Sequence, residues 1–268
     1  MHITRRSLLG AAAAAWSLPV RAQNPIIRIG VLTDMSGPYR DLGGPLCVAC
    51  AQQAADEFKA ENRGFRVEIL AADHLNKADV GSAIAREWFD QQAVDAIADI
   101  NNSAVALALA PLCVAKDKAQ LNTGAALADL TGKACTPNLI HWTYDTWEQG
   151  HSTCESMVRA GGDTWFFITA DYAFGHAMER DARRFVQDAG GRVLGSVTYP
   201  FPATTDFSSF LIQAQASGAI SKGWTQSRIS TTALSPSRSR HFAWPKTKPS
   251  SIPAPRSPTS PARTARRT

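Results

Sequence analysis

The sequence predicts an α/β fold of two lobes, each built on a parallel sheet, in which the second lobe is incomplete. Three observations lead to this prediction. Strand and helix patterns alternate over residues 26–122, the alternation restarts at residue 139, and it stops near residue 219. Such alternation is typical of parallel sheets with helices on both faces.

The first lobe is expected at residues 23–143 and opens with strand Ile26–Thr33, a β-branched run that predicts a buried strand. The elements that follow are predicted as helices over 46–62, 77–92 and 103–116 and strands over 65–71, 94–100 and 119–122. Asn102 or Ser103 is expected to cap the third helix, because both side chains accept hydrogen bonds from the free N–H groups at a helix start.

The second lobe is expected at residues 144–220. An extended stretch over 139–144 leads into it. Its elements are predicted as helices over 147–160, 174–189 and 206–217, with Asp206 as the last cap, and strands over 165–169 and 193–199. A hydrophobic strand is expected near Ala219, and the sequence offers no apolar run there.

The segment 221–268 is predicted to be a disordered basic tail. Ser, Thr, Pro, Ala and Arg make up 36 of its 48 residues, and it contains no Asp or Glu. Such a segment cannot bury enough apolar surface to offset its ordering entropy. A shifted reading frame in a GC-rich gene explains the composition; a genuine disordered tail is the alternative. Because the second lobe lacks its later strands, the chain is expected to bind ligand weakly or not at all and to expose a sheet edge that lowers solubility.

The N-terminus has the pattern of a signal peptide over residues 1–22. Arg5 and Arg6 precede a short apolar run, Leu8–Trp16, and the small residues before Gln23 predict cleavage near Ala22. The paired arginines also fit a twin-arginine signal. The sequence therefore predicts export to the periplasm.

Charge and motif content argue against several functions. Residues 23–220 hold 15 basic and 23 acidic residues, which is not typical of a nucleic-acid-binding surface. Neither a nucleophile elbow, nor a dinucleotide-binding glycine motif, nor a zinc-protease motif is present in its expected context. An enzyme is therefore the less favoured class, and no cofactor or metal is expected.

Five cysteines leave at least one unpaired, and their pairing is open. Cys47 and Cys50 have C-x-x-C spacing. No second ligand pair accompanies them, so they are interpreted as small residues on one helix face.

Four stretches carry a family resemblance. Residues 29–38 (IGVLTDMSGP) resemble the opening of the leucine/isoleucine/valine-binding family of ABC-transporter substrate-binding proteins, and residues 73–90, 171–175 and 206–211 match in the same order. The resemblance implies two Rossmann-like lobes of the periplasmic binding protein type I fold, joined by a hinge and closing over a ligand.

The function that this resemblance implies is that of the periplasmic substrate-binding component of an ABC importer. Its solute would be a branched-chain amino acid, an amide, or an aromatic or short carboxylate, and its partner an ABC permease of the inner membrane. A monomer without enzymatic activity is expected. A sensory or regulatory binding module of the same fold is the alternative, followed by an exported α/β enzyme.

Ten residues are candidate ligand contacts, because ligands of open parallel sheets bind where loops leave the carboxyl ends of strands. They are Tyr39, Asn102, Ser103, Thr123, Gly124, Ala125, Ala126, Tyr144, Tyr172 and Phe174. Free N–H groups at a helix start and small loop residues suit a carboxylate or amide. Capping by Asn102 or Ser103 and packing of Tyr172 or Phe174 are the alternatives. Leu127 stands near a position where the family often has a hydroxyl.

Overall fold

The computed structural model describes residues 24–219 and 221–224. The predicted signal peptide, residues 1–22, and residues 225–268 of the predicted tail lie outside this range. The strands are β1 Ile26–Thr33, β2 Arg66–Asp73, β3 Ala96–Asp99, β4 Ala119–Asn122, β5 Leu139–His141, β6 Thr164–Ala170, β7 Arg192–Tyr199 and β8 Ser221–Trp224.

Helices connect these strands in alternation. They are α1 Gly44–Phe58, α2 Ala78–Gln91, α3 Ser103–Ala115, α4 Thr146–Arg159, α5 Ala173–Asp188 and α6 Ser208–Ala216, with 3₁₀ turns at Ala60–Arg63 and Ala128–Leu130. Within the described ranges, none of these helices combines the length and apolar character needed to cross a bilayer.

Two parallel sheets form the framework, which confirms the predicted α/β fold class. The first sheet has the order β2-β1-β3-β4-β5, and the second has the order β7-β6-β8. In the first sheet the connection after β1 leads to β2 on one side of β1, and the connection after β2 crosses back to β3 on the other side. Strands β1 and β3 are therefore neighbours whose following connections run in opposite directions. Ligands of doubly wound sheets bind at such a switch point.

Three buried cores lie on these sheets. The first is built from β1, β3, α2 and the almost wholly apolar α3, and it includes Leu32, Ile97 and Leu109, all fully buried. The second and third lie on the two faces of β6, whose seven residues are all buried, as expected for a strand covered on both faces. Helix α5 contributes to the first two, because its Ala177 packs in the first core and its Phe185 in the second.

The first helix is shorter than predicted. The pattern indicated one helix over 46–62, but α1 ends at Phe58 because Lys59 adopts the left-handed conformation with φ 50°. The chain then makes a 3₁₀ turn that ends at Gly64, where φ is 85°. Lysine has no special preference for this conformation, so composition could not indicate the break.

The prediction that the chain is a disordered tail from residue 221 onward is wrong for Ser221–Trp224, which form a strand. Strand β8 pairs in parallel with β6, with Trp165 opposite Ser221 in register. Ser221 is 5% exposed, and its Oγ donates to the Gly162 carbonyl at 3.4 Å. Main-chain pairing along the open side of β6 holds this segment without an apolar pattern. Helix α6 also starts at Ser208 rather than at 206, with Asp206 accepting from the Ser208 N–H at 2.9 Å.

Candidate functional site

A cavity of about 410 Å³ opens beside the carboxyl ends of strands from both sheets. This volume falls in the range of small-molecule sites. Nine of the ten predicted contact residues line it: Tyr39, Ser103, Thr123, Gly124, Ala125, Ala126, Tyr144, Tyr172 and Phe174. Residues from the two sheets are therefore brought to one space, although they are far apart in sequence.

Asn102 is the predicted residue that is not among those lining the cavity. Its Oδ1 accepts hydrogen bonds from the N–H groups of Ala104 and Val105 at 2.9 and 3.2 Å. Asn102 therefore caps α3, which is the alternative role that the sequence suggested.

Six lining residues were not predicted. They are Leu42, Gly43, Cys47, Asp99, Asn101 and Thr143. Asp99 was hidden inside the predicted strand 94–100, and Cys47 was interpreted as a helix packing residue. The sequence did contain one signal for Asp99. It is an acid within the apolar run Ala96–Ile100, and a charge is costly inside a sheet core.

The loop after β1 is organised by the buried carboxylate of Asp34. Its Oδ1 accepts from the Gly37 N–H at 2.6 Å, and its Oδ2 accepts from the Tyr39 N–H at 2.8 Å. The Asn76 side chain donates to the same Oδ2 at 2.6 Å. These bonds to a charged acceptor fix the loop and hold Tyr39 at the cavity wall.

Asn101 ties this loop to β3. Its Oδ1 accepts from the Asp34 N–H at 2.8 Å and lies 3.0 Å from His74 Nε2. The Asn76 N–H donates to His74 Nδ1 at 3.0 Å, so Nε2 is the nitrogen that carries the proton of a neutral ring. Burial lowers the pKa of His74, and the nearby charge of Asp34 acts in the opposite direction. The wall of the cavity thus rests on a buried, neutral histidine.

The loop after β4 brings backbone close to the cavity. The N–H groups of Thr123 and Gly124 donate to the Asp99 carbonyl at 3.2 and 3.0 Å. A Cβ on Gly124 would lie 2.7 Å from the Asn101 Cα, so only glycine allows this approach. Asn122 exchanges two side-chain hydrogen bonds with Ala125, at 2.8 and 2.9 Å. The small residues therefore form a fixed surface.

Aromatic side chains close the other side. The hydroxyls of Tyr39 and Tyr172 hydrogen-bond to each other, and Phe201 stacks on Tyr172 with ring centroids 4.4 Å apart. Phe174 lies beside Tyr172 at a centroid distance of 6.1 Å. Burial raises the pKa of Tyr39 to about 12 and that of Tyr172 well above its ordinary value. Both tyrosines are therefore neutral and can donate and accept hydrogen bonds.

The sequence profile of the family described as periplasmic binding protein matches residues 26–226. The chain belongs to the periplasmic binding protein family. The resemblance inferred from four short stretches is thereby confirmed, and the match includes strand β8. A search of curated proteins found no significant match.

Solved periplasmic binding proteins share this fold. One from Burkholderia mallei is 39% identical with a TM-score of 0.76, and the match covers 82% of this chain and 58% of that one. A branched-chain amino acid ABC-transporter ligand-binding protein from Burkholderia xenovorans is 37% identical over the same shares, with a TM-score of 0.66. A solute-binding protein from R. palustris, in complex with 4-hydroxybenzoate, is 25% identical with a TM-score of 0.64, over 75% of this chain and 54% of that one. The chain thus spans less than two thirds of the length of these family members.

In this member of the periplasmic binding protein family, Leu127 does not reach the cavity. It is 1% exposed and packs in the first core with Leu130. The hydroxyl-bearing residues that line the cavity from the side of the first sheet are instead Tyr39, Ser103, Thr123 and Thr143.

The cysteines are all free thiols in the part of the chain that the structure describes. Cys47 lines the cavity, and burial together with the charge of Asp99 raises its pKa to about 11. In residues 24–219 and 221–224, no cluster of three or more His, Cys, Asp or Glu side chains is placed to hold a metal ion.

Proposed function

We propose that this chain is the periplasmic substrate-binding component of an ABC importer. The observation that carries the proposal is the cavity, which Tyr39 and Thr123 line from the first sheet and Tyr172 from the second. A site shared by two lobes suits capture by closure, because a ligand that contacts both lobes favours the closed arrangement.

The solute would be a small molecule with at least one polar end. The similar protein from Burkholderia xenovorans is named for branched-chain amino acids, and the similar protein from R. palustris was solved in complex with 4-hydroxybenzoate. The cavity of about 410 Å³ has polar groups on the wall formed by Ser103 and Thr123 and rings on the side of Tyr172 and Phe174. This division fits branched-chain amino acids, amides, and aromatic or short carboxylates.

The proposal extends to the partner and to the lobe boundaries. The solute would be delivered to an ABC permease of the inner membrane by a monomer in the periplasm. The lobes would divide near residue 143, with Thr143 and Tyr144 at the crossing between them. A sensory module with the same fold is the second candidate, since a fold alone does not choose between delivery and signalling.

Titration calorimetry tests solute binding. The purified chain is titrated with leucine, leucinamide, benzoate, 4-hydroxybenzoate and butyrate at concentrations up to the millimolar range. Ala126→Leu places a larger side chain in the cavity wall and is expected to weaken binding about tenfold or more, as steric overlap does in packed sites.

Ala54→Leu on the exposed side of α1 is the matched control and is expected to leave binding unchanged. Binding that survives Ala126→Leu at full strength would place the site elsewhere. The weak binding that the sequence leads us to expect would appear as an affinity in the millimolar range, and absence of binding by the unmodified chain across the whole set at these concentrations would refute the proposal.

A further inference from the structure

Asp99 has an unusual place at the end of β3. It lines the cavity, and it is 5% exposed. Its φ is 73° and that of the following Ile100 is 60°, so two successive residues adopt the left-handed conformation. Such backbone is costly for residues other than glycine and persists where the surroundings impose it. The chain therefore turns out of the sheet at Asp99 and Ile100, and the next residue, Asn101, bonds to the loop after β1.

The carboxylate of Asp99 is only half satisfied. The Thr123 hydroxyl donates to Oδ1 at 3.4 Å, whereas Oδ2 is buried and has no hydrogen-bond partner. The neighbouring Cys47 thiol hydrogen-bonds to the Asp99 carboxylate, but a thiol is a weak donor. Among the ion pairs of residues 24–219 and 221–224, none involves Asp99. An unsatisfied oxygen on a buried carboxylate is costly, and such groups are rare outside functional sites.

Gly43 packs closely against this carboxylate. A Cβ on Gly43 would lie 3.0 Å from Asp99 Oδ2 and 2.6 Å from Asn101 Nδ2, so no larger residue fits there. Both Gly43 and Asp99 line the cavity. The carboxylate, which has few hydrogen bonds of its own, is therefore held at the wall that a bound molecule contacts.

We infer that Asp99 accepts a hydrogen bond from a donor group of the bound solute and thereby selects the solute. The inference rests on the proposed function and deepens it. The selected class carries an ammonium, amide N–H or hydroxyl group at the end that enters the first lobe. A carboxylate placed against Asp99 would be repelled, because two like charges would share a water-poor site.

Two solute pairs that differ in one donor group provide the test. Leucine is compared with 4-methylpentanoate, which lacks the ammonium group, and 4-hydroxybenzoate with benzoate, which lacks the hydroxyl. Calorimetry on the whole chain is expected to give a preference of about tenfold or more for the donor-bearing member of at least one pair, the size expected for a hydrogen bond to a charged acceptor. The pair that shows the preference tells whether the donor is an ammonium or a hydroxyl group.

Asp99→Asn removes the charge while keeping a side chain that tolerates the left-handed backbone. This variant is expected to reduce the preference to less than about threefold, since a neutral acceptor makes a weaker bond. Asp188→Asn makes the same change of charge on the exposed end of α5 and is expected to retain the full preference. Circular dichroism checks the folding of each variant, and Asp99→Ser replaces Asp99→Asn if the latter does not fold.

The possible outcomes distinguish the role of Asp99 from the proposed function. Equal affinity for both members of both pairs would overturn the role of Asp99 and leave solute binding intact. A preference that persists in the Asp99 variant would overturn it as well. Absence of binding by the unmodified chain to these four compounds, and also to leucinamide and butyrate, would overturn the proposed function and this inference together.

Discussion

The hydroxyl of Tyr39 hydrogen-bonds to the hydroxyl of Tyr172, a residue 133 positions further along the chain. Tyr39 follows the first strand of one sheet and Tyr172 follows the first strand of the other. The bond therefore links the two sheets at the wall of the cavity. Tyr39 is 4% exposed, so neither water nor another side chain easily replaces its partner.

Removal of either hydroxyl is expected to destabilise the protein. Tyr39→Phe and Tyr172→Phe should each lower the free energy of unfolding by about 1–2 kcal/mol, because the remaining hydroxyl stays buried without its partner. The double variant should cost less than the sum of the two, since no hydroxyl is then left unpaired. Urea denaturation measures all three. Tyr144→Phe, at a side chain that is 49% exposed, is the control and should change stability little. Strict additivity would show that the two hydroxyls do not interact.

Acid is expected to destabilise the protein through His74. Burial lowers the pKa of His74 in the folded state, although the charges of Asp34, Asp73 and Asp99 oppose this. The unfolded chain therefore binds more protons as the pH falls below about 6.5, and stability present above that pH is lost, by at most about 1.4 kcal/mol per pH unit for one group. Protonation of Nδ1 would also break its bond to the Asn76 N–H.

The contribution of His74 is isolated by substitution. His74→Gln should give a shallower decrease in unfolding free energy between pH 7.5 and 5.5 than the unmodified chain shows. His176→Gln, at an exposed side chain of α5, should keep the original slope. An unchanged slope in His74→Gln would contradict the assignment of a neutral, buried ring.

A methyl group at Gly124 is expected to distort the cavity wall. Its Cβ would meet the Asn101 backbone at 2.7–2.9 Å, and neither segment is free to move because both are hydrogen-bonded. Gly124→Ala should cost about 1–3 kcal/mol, the usual range for overpacking, and should weaken solute binding. Gly132→Ala lies at an exposed turn, where the added Cβ would be 3.3 Å from its nearest neighbour, and should lower the free energy of unfolding by less. Thermal unfolding compares the two, and equal costs would contradict a close approach at Gly124.

Cys47 is expected to react slowly with thiol reagents. Its pKa of about 11 leaves about 100-fold less thiolate at pH 8 than an ordinary cysteine has, and the thiolate is the reactive form. Alkylation followed by peptide mass spectrometry should therefore label exposed Cys50 and Cys135 well before Cys47. Asp99→Asn should speed labelling of Cys47, because it removes a charge that opposes the thiolate. Similar rates for Cys47 and Cys50 would contradict this account.

The positions of most strands and helices could be predicted from the sequence, because periodicity is a local property. Strand β1 was predicted with its observed bounds, and the predicted β6 is one residue shorter than the observed strand at each end. The loops that meet at the cavity were also predictable, since parallel strands bring their carboxyl ends together. Nine of ten named residues consequently line one cavity.

What escaped prediction depends on contacts that no local pattern encodes. Asp99 leaves the strand direction through two left-handed residues, and its place in the cavity follows from that turn rather than from its neighbours in sequence. Cys47 faces the same space because of how α1 is packed. Strand β8 is held by main-chain pairing with β6, and such pairing requires no hydrophobic alternation.

Helix α5 packs in two cores, and this affects how the molecule unfolds on heating. Ala177 at one part of the helix and Phe185 at another anchor it in separate cores. Loss of either core removes part of the packing of this one helix, so the two halves are not independent cooperative units. A calorimetric scan should accordingly show a single heat-absorption peak rather than two resolved ones.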